Sequence, residues 1–199
     1  MRIYLNRDWK FSEDFNCLDN NINVDLPHTV KQTSFHYFSE HEYQMISGYQ
    51  KDFFVPNEWK NKIVLCTFEG VAHESEVYLN DILIKEHHCG YTAFTFELNH
   101  LNYNEMNTLK VKVNSNEDVH LPPFGHVIDY MTYGGIYRDV YLEVKEEVYF
   151  EDIFVSYDSN IKSLITLNKN VEGSCNLYIS KKDENNYKLI DQYYLNTNM

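Results

Sequence analysis

The chain carries 30 acidic side chains against 17 Lys and Arg, with nine His and four Cys, so general acid–base, metal and thiol chemistry are the first possibilities to weigh. Acid–base cleavage with carboxyl groups needs two of them held rigidly on either side of the breaking bond, one with a raised pKa. The adjacent acids Glu13-Asp14 and Glu146-Glu147 stand where solvated charge is expected, and no catalytic residue is assigned. Cys17, Cys66, Cys89 and Cys175 are scattered without a C-x-x-C pair. An even count permits two disulfides, but a chain of 199 residues can bury a core without covalent staples. Four reduced, mostly buried thiols are therefore expected. Zinc needs ligands clustered at close spacing, which the His and Cys do not show, and adjacent His87 and His88 in a strand would point to opposite faces. Neither a metal site nor a cofactor is expected.

The elements that would hold any site are strands. A period of two runs through KIVLCTFE (62–69), ESEVYLN (74–80), TAFTFEL (92–98), TLKVKVN (108–114) and RDVYLEVK (138–145), all rich in β-branched and aromatic residues. In TLKVKVN the apolar Leu109, Val111 and Val113 share one face and Lys110 and Lys112 the other, the pattern of a sheet with one wet side. Asn80-Asp81 reads as a tight hairpin turn, because Asn and Asp tolerate positive φ. No long amphipathic helical pattern occurs, and the fold class is all-β. Two long connections, at about 26–47 and about 115–135, interrupt the rhythm. The second carries Pro122-Pro123, Gly125 and Gly134-Gly135, and connections of this length often bear function. Beyond residue 146 a second run of about four strands follows, over 153–157, 162–167, 174–180 and 187–195. That is fewer than the roughly seven of an immunoglobulin-like sandwich. Its last strand is expected to leave an open edge, which makes a homo-oligomer a possible assembly.

Composition narrows the partners. A net charge of -13 repels nucleic acid and anionic lipid, and no apolar run reaches the roughly 20 residues that span a bilayer. Neutral sugars and ordinary proteins are indifferent to such a field. The first eleven residues lack a basic stretch followed by an apolar one, so a cytoplasmic location is expected.

Five blocks in order give a family resemblance: DLPHTV (25–30), GYQKDFFVPNEWKNKIVLCTFEGV (48–71), EVYLNDILIKEHHCGYTAFTFEL (76–98), NTLKVKVNS (107–115) and DYMTYGGIYRDVYL (129–142). Together they cover about residues 1–145 and resemble the N-terminal region of glycoside hydrolase family 2, which contains β-galactosidases, β-glucuronidases and β-mannosidases. The resemblance implies a jelly-roll β-sandwich of the galactose-binding-domain type over 1–146, then the start of an immunoglobulin-like domain over 147–199. In the family, a (β/α)₈ barrel with two catalytic glutamates comes next. The chain is thus expected to be a non-catalytic, sugar-binding accessory region of a retaining enzyme acting on terminal β-linked sugars, β-galactosides first. The alternatives are a free-standing carbohydrate-binding module or a piece of a β-glucuronidase or β-mannosidase.

The same resemblance marks Asp129 as the acidic residue that reaches from the long connection toward the barrel and accepts hydrogen bonds from the substrate sugar. His28, Tyr130 and Tyr133 are expected to line the same loop surface. Gly70 and Gly90 read as turns needing a permissive backbone. Arg138 and Asp139 read as a charge pair bracing a loop, and Trp9 and Trp59 as packing residues rather than sugar platforms.

Overall fold

Alternating side chains do build strands, and they build them in antiparallel pairs throughout. The computed structural model describes residues 2–34, 36, 39–122, 132–157, 163–169, 174–183 and 186–196. In chain order the strands are β1 (Arg2–Tyr4), β2 (Trp9–Ser12), β3 (Ile22–Val24), β4 (Ile46–Val55), β5 (Ile63–Phe68), β6 (Val71–Ala72), β7 (Glu74–Leu79) and β8 (Ile82–His87). They continue with β9 (Phe94–Glu97), β10 (Glu105–Asn114), β11 (Gly135–Ile136), β12 (Val140–Lys145), β13 (Phe150–Tyr157), β14 (Ser163–Lys169), β15 (Ser174–Asp183) and β16 (Asn186–Asn196). The chain divides into two compact units, Met1–Lys145 and Glu146–Met199.

In the first unit a four-stranded sheet, β1-β12-β5-β9, faces a six-stranded sheet, β3-β2-β4-β10-β7-β8. A two-stranded ribbon of β6 and β11 lies beside them. This is the two-layer, jelly-roll-type sandwich expected from the sequence. Between the layers Val64, Cys66, Phe68 and Leu142 meet Trp9, Tyr49, Val77, Leu109, Val111 and Val113 in one core cluster. Burying each aliphatic or aromatic side chain of this kind contributes roughly 1.5–3 kcal/mol, so the shared interior is what holds the sheets together. The second unit has two separate antiparallel ribbons, β13 with β14 and β15 with β16.

Strand β4 is the central element that alternation alone does not reveal. Tyr49, Phe53 and Val55 point into the core, but Lys51 occupies the inward position between them and interrupts the apolar period. Its stem lies along the sheet while its ammonium reaches the Arg7 carbonyl at 2.7 Å. Ten residue pairs with β10 then fix the register.

Several local expectations resolve differently. Asn80 and Asp81 do adopt positive φ (49° and 69°), as the hairpin between β7 and β8 requires. Gly70 and Gly90, however, sit at φ values open to any residue and are small for lack of space. A Cβ on Gly70 would come within 2.8 Å of the Tyr137 ring, and one on Gly90 within 2.9 Å of His73 Nδ1. Of the four free thiols only Cys66 is buried, whereas Cys17 is exposed and Cys89 and Cys175 are intermediate. The expectation of mostly buried thiols fails because the other three lie in a surface turn, a connection and a two-stranded ribbon. Asp139 braces the chain after β1 by accepting from Asn6 Nδ2 at 3.0 Å, while Arg138 lies over the Tyr137 ring. Trp9 is fully buried and Trp59 packs against the core.

One buried side chain ties two turns to β10. Asn107, with no exposed surface, donates through Nδ2 to the Asn102 carbonyl at 2.7 Å. Its Oδ1 accepts from the Asn102 backbone N–H and from Asn80 Nδ2, both at 2.9 Å. Asn80 Oδ1 in turn accepts from the Thr108 N–H at 2.9 Å. Asn107→Ala leaves these groups without partners where water enters poorly, and should lower unfolding stability by about 2–4 kcal/mol. The check is urea denaturation with an unchanged slope.

Candidate functional site

At one end of the sandwich, three distant chain segments converge. The 28–30 stretch runs alongside 134–136, with the His28 N–H donating to the Ile136 carbonyl at 2.8 Å and the Val30 N–H to the Gly134 carbonyl at 3.0 Å. Gly135 has φ of +113°, a backbone region that disfavours side chains, and a Cβ there would lie 2.7 Å from both the His28 carbonyl oxygen and the Tyr49 hydroxyl. A Cβ on Gly134 would meet the Ser115 side chain at 2.5 Å. Two bare positions thus let the backbone approach closely.

Both ends of the connection are clamped. On the entering side, buried Ser115 donates through Oγ to the Tyr43 carbonyl at 2.6 Å and accepts from the Met45 N–H at 3.1 Å. On the leaving side, buried Thr132 donates to Glu117 Oε1 at 2.8 Å, linking the two arms directly. Asp129 and Tyr130 lie outside the described residues. Tyr133 is described and is 55% exposed, just above the clamp.

His28 sits half-buried at the base. Its ring packs on Phe11 with centroids 4.7 Å apart, and Nδ1 lies 2.8 Å from the Tyr49 hydroxyl. Burial pushes the Tyr49 pKa up, keeping the phenol protonated, while the Ile136 backbone N–H donates to the same oxygen. The Tyr49 hydroxyl and His28 Nδ1 share this hydrogen bond, and with Tyr49 as its donor the imidazole is neutral and carries its proton on Nε2. Burial also lowers the His28 pKa. His28 lines a cleft of about 350 Å³ together with Phe11, Pro27, Val30 and Gln32, and Tyr133 is not part of that lining. The structure thus joins the segments bearing His28 and Tyr133 through backbone hydrogen bonds without bringing the two side chains into one cleft.

A second histidine lies nearby. His73 is 2% exposed and has no hydrogen-bond partner on either ring nitrogen. Desolvation lowers its pKa, opposed by the charges of Glu117 and Glu74, so it too is neutral. The carboxyl groups behave in the opposite sense to a proton donor. Among the described residues, Asp14, Asp25, Asp52, Glu76 and Asp191 depart from the ordinary carboxylate range, and every one is shifted downward. Glu76 is held there by the Lys112 ammonium at 2.7 Å and Asp25 by the Arg7 guanidinium. The arrangement suits hydrogen bonding to a neutral polar ligand at a fixed loop base. Sequence reasoning missed Tyr49, Ser115 and Thr132, and the only signal for them was their position beside glycines or at the ends of the long connections.

Comparison with known proteins agrees with this architecture. The family model described as "Glycosyl hydrolases family 2, sugar binding domain" matches residues 5–146. A β-galactosidase of Thermoanaerobacter pseudethanolicus is 37% identical over 159 residues, covering 78% of this chain and 21% of that protein. A β-glucuronidase of Bacteroides fragilis is 36% identical over 146 residues, covering 73% of this chain and 21% of that protein. The chain thus spans about a fifth of the length of these curated relatives. Among solved structures, a β-glucuronidase from Ruminococcus gnavus in complex with D-glucuronic acid superposes with a TM-score of 0.81 at 19% identity, covering 98% of this chain and 38% of that one. That likeness is one of fold.

The tautomer assignment generates a test. Because the folded state resists protonating His28, its contribution to stability is present above the unfolded pKa of about 6.5 and is lost as pH falls below it. Tyr49→Phe removes the donor that favours neutral imidazole and strips the Ile136 N–H of its acceptor. His28 should then titrate at higher pH, with about 1–3 kcal/mol of stability lost. An NMR titration of the His28 ring in both proteins checks the direction.

Proposed function

This chain belongs to glycosyl hydrolase family 2 through that family's sugar binding domain, and from that premise we propose that it is a non-catalytic accessory region of a retaining glycosidase. It supports a catalytic domain and lends the connection between Glu117 and Thr132 to the rim of the active site, where Asp129 accepts hydrogen bonds from the substrate sugar. A carboxylate suits that task because its two oxygens can accept from two vicinal hydroxyls at once. His28, Tyr130 and Tyr133 are further candidate contacts to the sugar on the same loop surface. On the same reading, residues 147–199 are the start of an immunoglobulin-like domain.

The observation that carries this reading is the double clamp at Ser115 and Thr132, tied to β4 through Tyr49 and Gly135. A loop anchored at both ends to a packed sandwich can hold a binding carboxylate at a defined place, which a free loop cannot. One further feature favours support over chemistry. The described carboxyl groups with resolved shifts all move downward, whereas a glycosidase acid needs a raised pKa. The net charge of -13 favours a neutral sugar over a uronic acid, so β-galactosides are the first choice of substrate. The β-glucuronidase among the relatives makes β-glucuronides the second.

The 199-residue chain, incubated with p-nitrophenyl β-D-galactoside and the corresponding glucuronide, should release no nitrophenol above background. Steady hydrolysis of either would overturn the accessory role. Placed upstream of a family 2 catalytic domain, Asp129→Ala should lower kcat/KM by about 100-fold, the effect of losing charged hydrogen bonds to the sugar. An unchanged kcat/KM would remove Asp129 from the rim.

A further inference from the structure

The outward face of the six-stranded sheet is polar and charged along the middle of its central strands. Gly48, Gln50 and Asp52 of β4 share it with Thr108, Lys110 and Lys112 of β10 and with Glu74, Glu76 and Tyr78 of β7. Ion pairs cross the strands between Lys112 and Glu76 at 2.7 Å, and between Lys10 and Asp52 at 3.3 Å. Tyr78 lies on this face two strands away from Gly48, and Phe54 of β4 is exposed on the same face beside Met106.

Gly48 changes the relief of that face. A Cβ there would lie 2.8 Å from Leu18 Cδ2 and 3.0 Å from Phe15 Cα, so the short 3-10 turn Phe15–Cys17 rests directly on the bare backbone. Seated this way, the turn delivers the Phe15 ring to Tyr78, with centroids 5.7 Å apart and planes inclined by 29°. The two rings, with Asn16, Asp19, Asp81 and Lys110, line a cleft of about 410 Å³. That volume lies within the roughly 300–1,000 Å³ of small-ligand sites. Lys110 Nζ is 2.6 Å from Asp81 Oδ1, and Asp19 is exposed.

Flat apolar ring surface bordered by carboxylate acceptors, an amide and an ammonium donor matches one ligand chemistry. A pyranose offers an apolar C–H face and a rim of hydroxyls that both donate and accept. Two carboxylates on a chain of charge -13 repel an anionic ligand. We propose that the Phe15–Tyr78 cleft is a glycan-binding subsite on the outer face of the six-stranded sheet, taking one neutral pyranose unit of an oligosaccharide. Tyr49, which supports the loop end, points to the opposite face of the same strand, so the subsite and the loop base occupy different sides of the sheet.

The test is a ¹H–¹⁵N NMR titration of the 199-residue chain with methyl β-D-galactopyranoside and lactose, with D-glucuronate as the anionic comparison. Saturable binding of a neutral sugar is expected, with a Kd of about 1–10 mM, typical of a shallow open site. Shifts should centre on residues 15–19, 78, 81 and 110. Tyr78→Ala and Asp19→Ala should each weaken binding at least about tenfold, while Tyr78→Phe retains it because the ring and not the hydroxyl is the platform. Asp19→Ala touches no core residue and keeps the test open if Tyr78→Ala disturbs the sheet. No saturable shift at about ten times that concentration overturns the subsite. So does binding that survives both substitutions, tighter binding of glucuronate, or shifts confined to residues 28 and 133. The last pattern would place sugar at the loop base, and none of these outcomes depends on whether the chain hydrolyses a glycoside.

Discussion

The absence of a side chain at Gly135 is the constraint on which the loop end depends. With φ of +113° and no free space above its Cα, this residue lets the 28–30 stretch, β11 and the Tyr49 hydroxyl meet in a single contact. Any Cβ would push apart the His28 carbonyl and the Tyr49 oxygen, each of which would lie 2.7 Å away. The consequences run outward from there. Tyr49 keeps the Ile136 N–H satisfied, its hydroxyl pairs with His28 Nδ1, and the adjoining Gly134 packs on Ser115, which clamps the entry to the long connection. The two roots of this connection are held by backbone proximity and by the Ser115 and Thr132 hydrogen bonds.

Strand β4 carries both of the sites considered above, and the pleat explains how. Adjacent residues in a strand point to opposite faces, so Tyr49 can serve the interior and loop end only if Gly48 faces outward beneath Phe15. A slip of one residue would exchange these roles along the whole strand. Ten pairings with β10, and the opposition of Leu109, Val111 and Val113 to the other layer, hold that register. Core packing and surface relief are therefore two readings of one alignment.

Much of this was legible in the sequence where the physical signal was local. Alternation in TLKVKVN and EVYLN located β10 and β7, and Asn80-Asp81 located the turn that positive φ confirms. The central β4 was not readable by alternation, because Lys51 stands at an inward position and satisfies its charge on the Arg7 carbonyl, a contact with no local trace. Gly70 and Gly90 read as turns needing a permissive backbone, yet they are small because Tyr137 and His73 approach from other segments of the chain. Only Cys66 met the expectation of burial, since hydrophobicity of a thiol does not say which strand it will join. At the candidate site the resemblance, not spacing, picked out His28 and Tyr133. The residues that hold them in place, Tyr49, Ser115 and Thr132, are ordinary in type and acquire their roles only through contacts between distant segments.

Electrostatics connects the fold to the kind of work it can do. A group that must donate a proton near neutral pH needs burial or a neighbouring like charge to raise its pKa. The described carboxylates have instead been placed beside cations and amide donors, Glu76 by Lys112 and Asp25 by Arg7 and the Asp8 N–H. The buried titratable side chains at the loop end, His28, His73 and Tyr49, are all held in their neutral forms by desolvation. Ionised acids at the surface and neutral groups inside leave the described part of the first unit rich in hydrogen-bond acceptors.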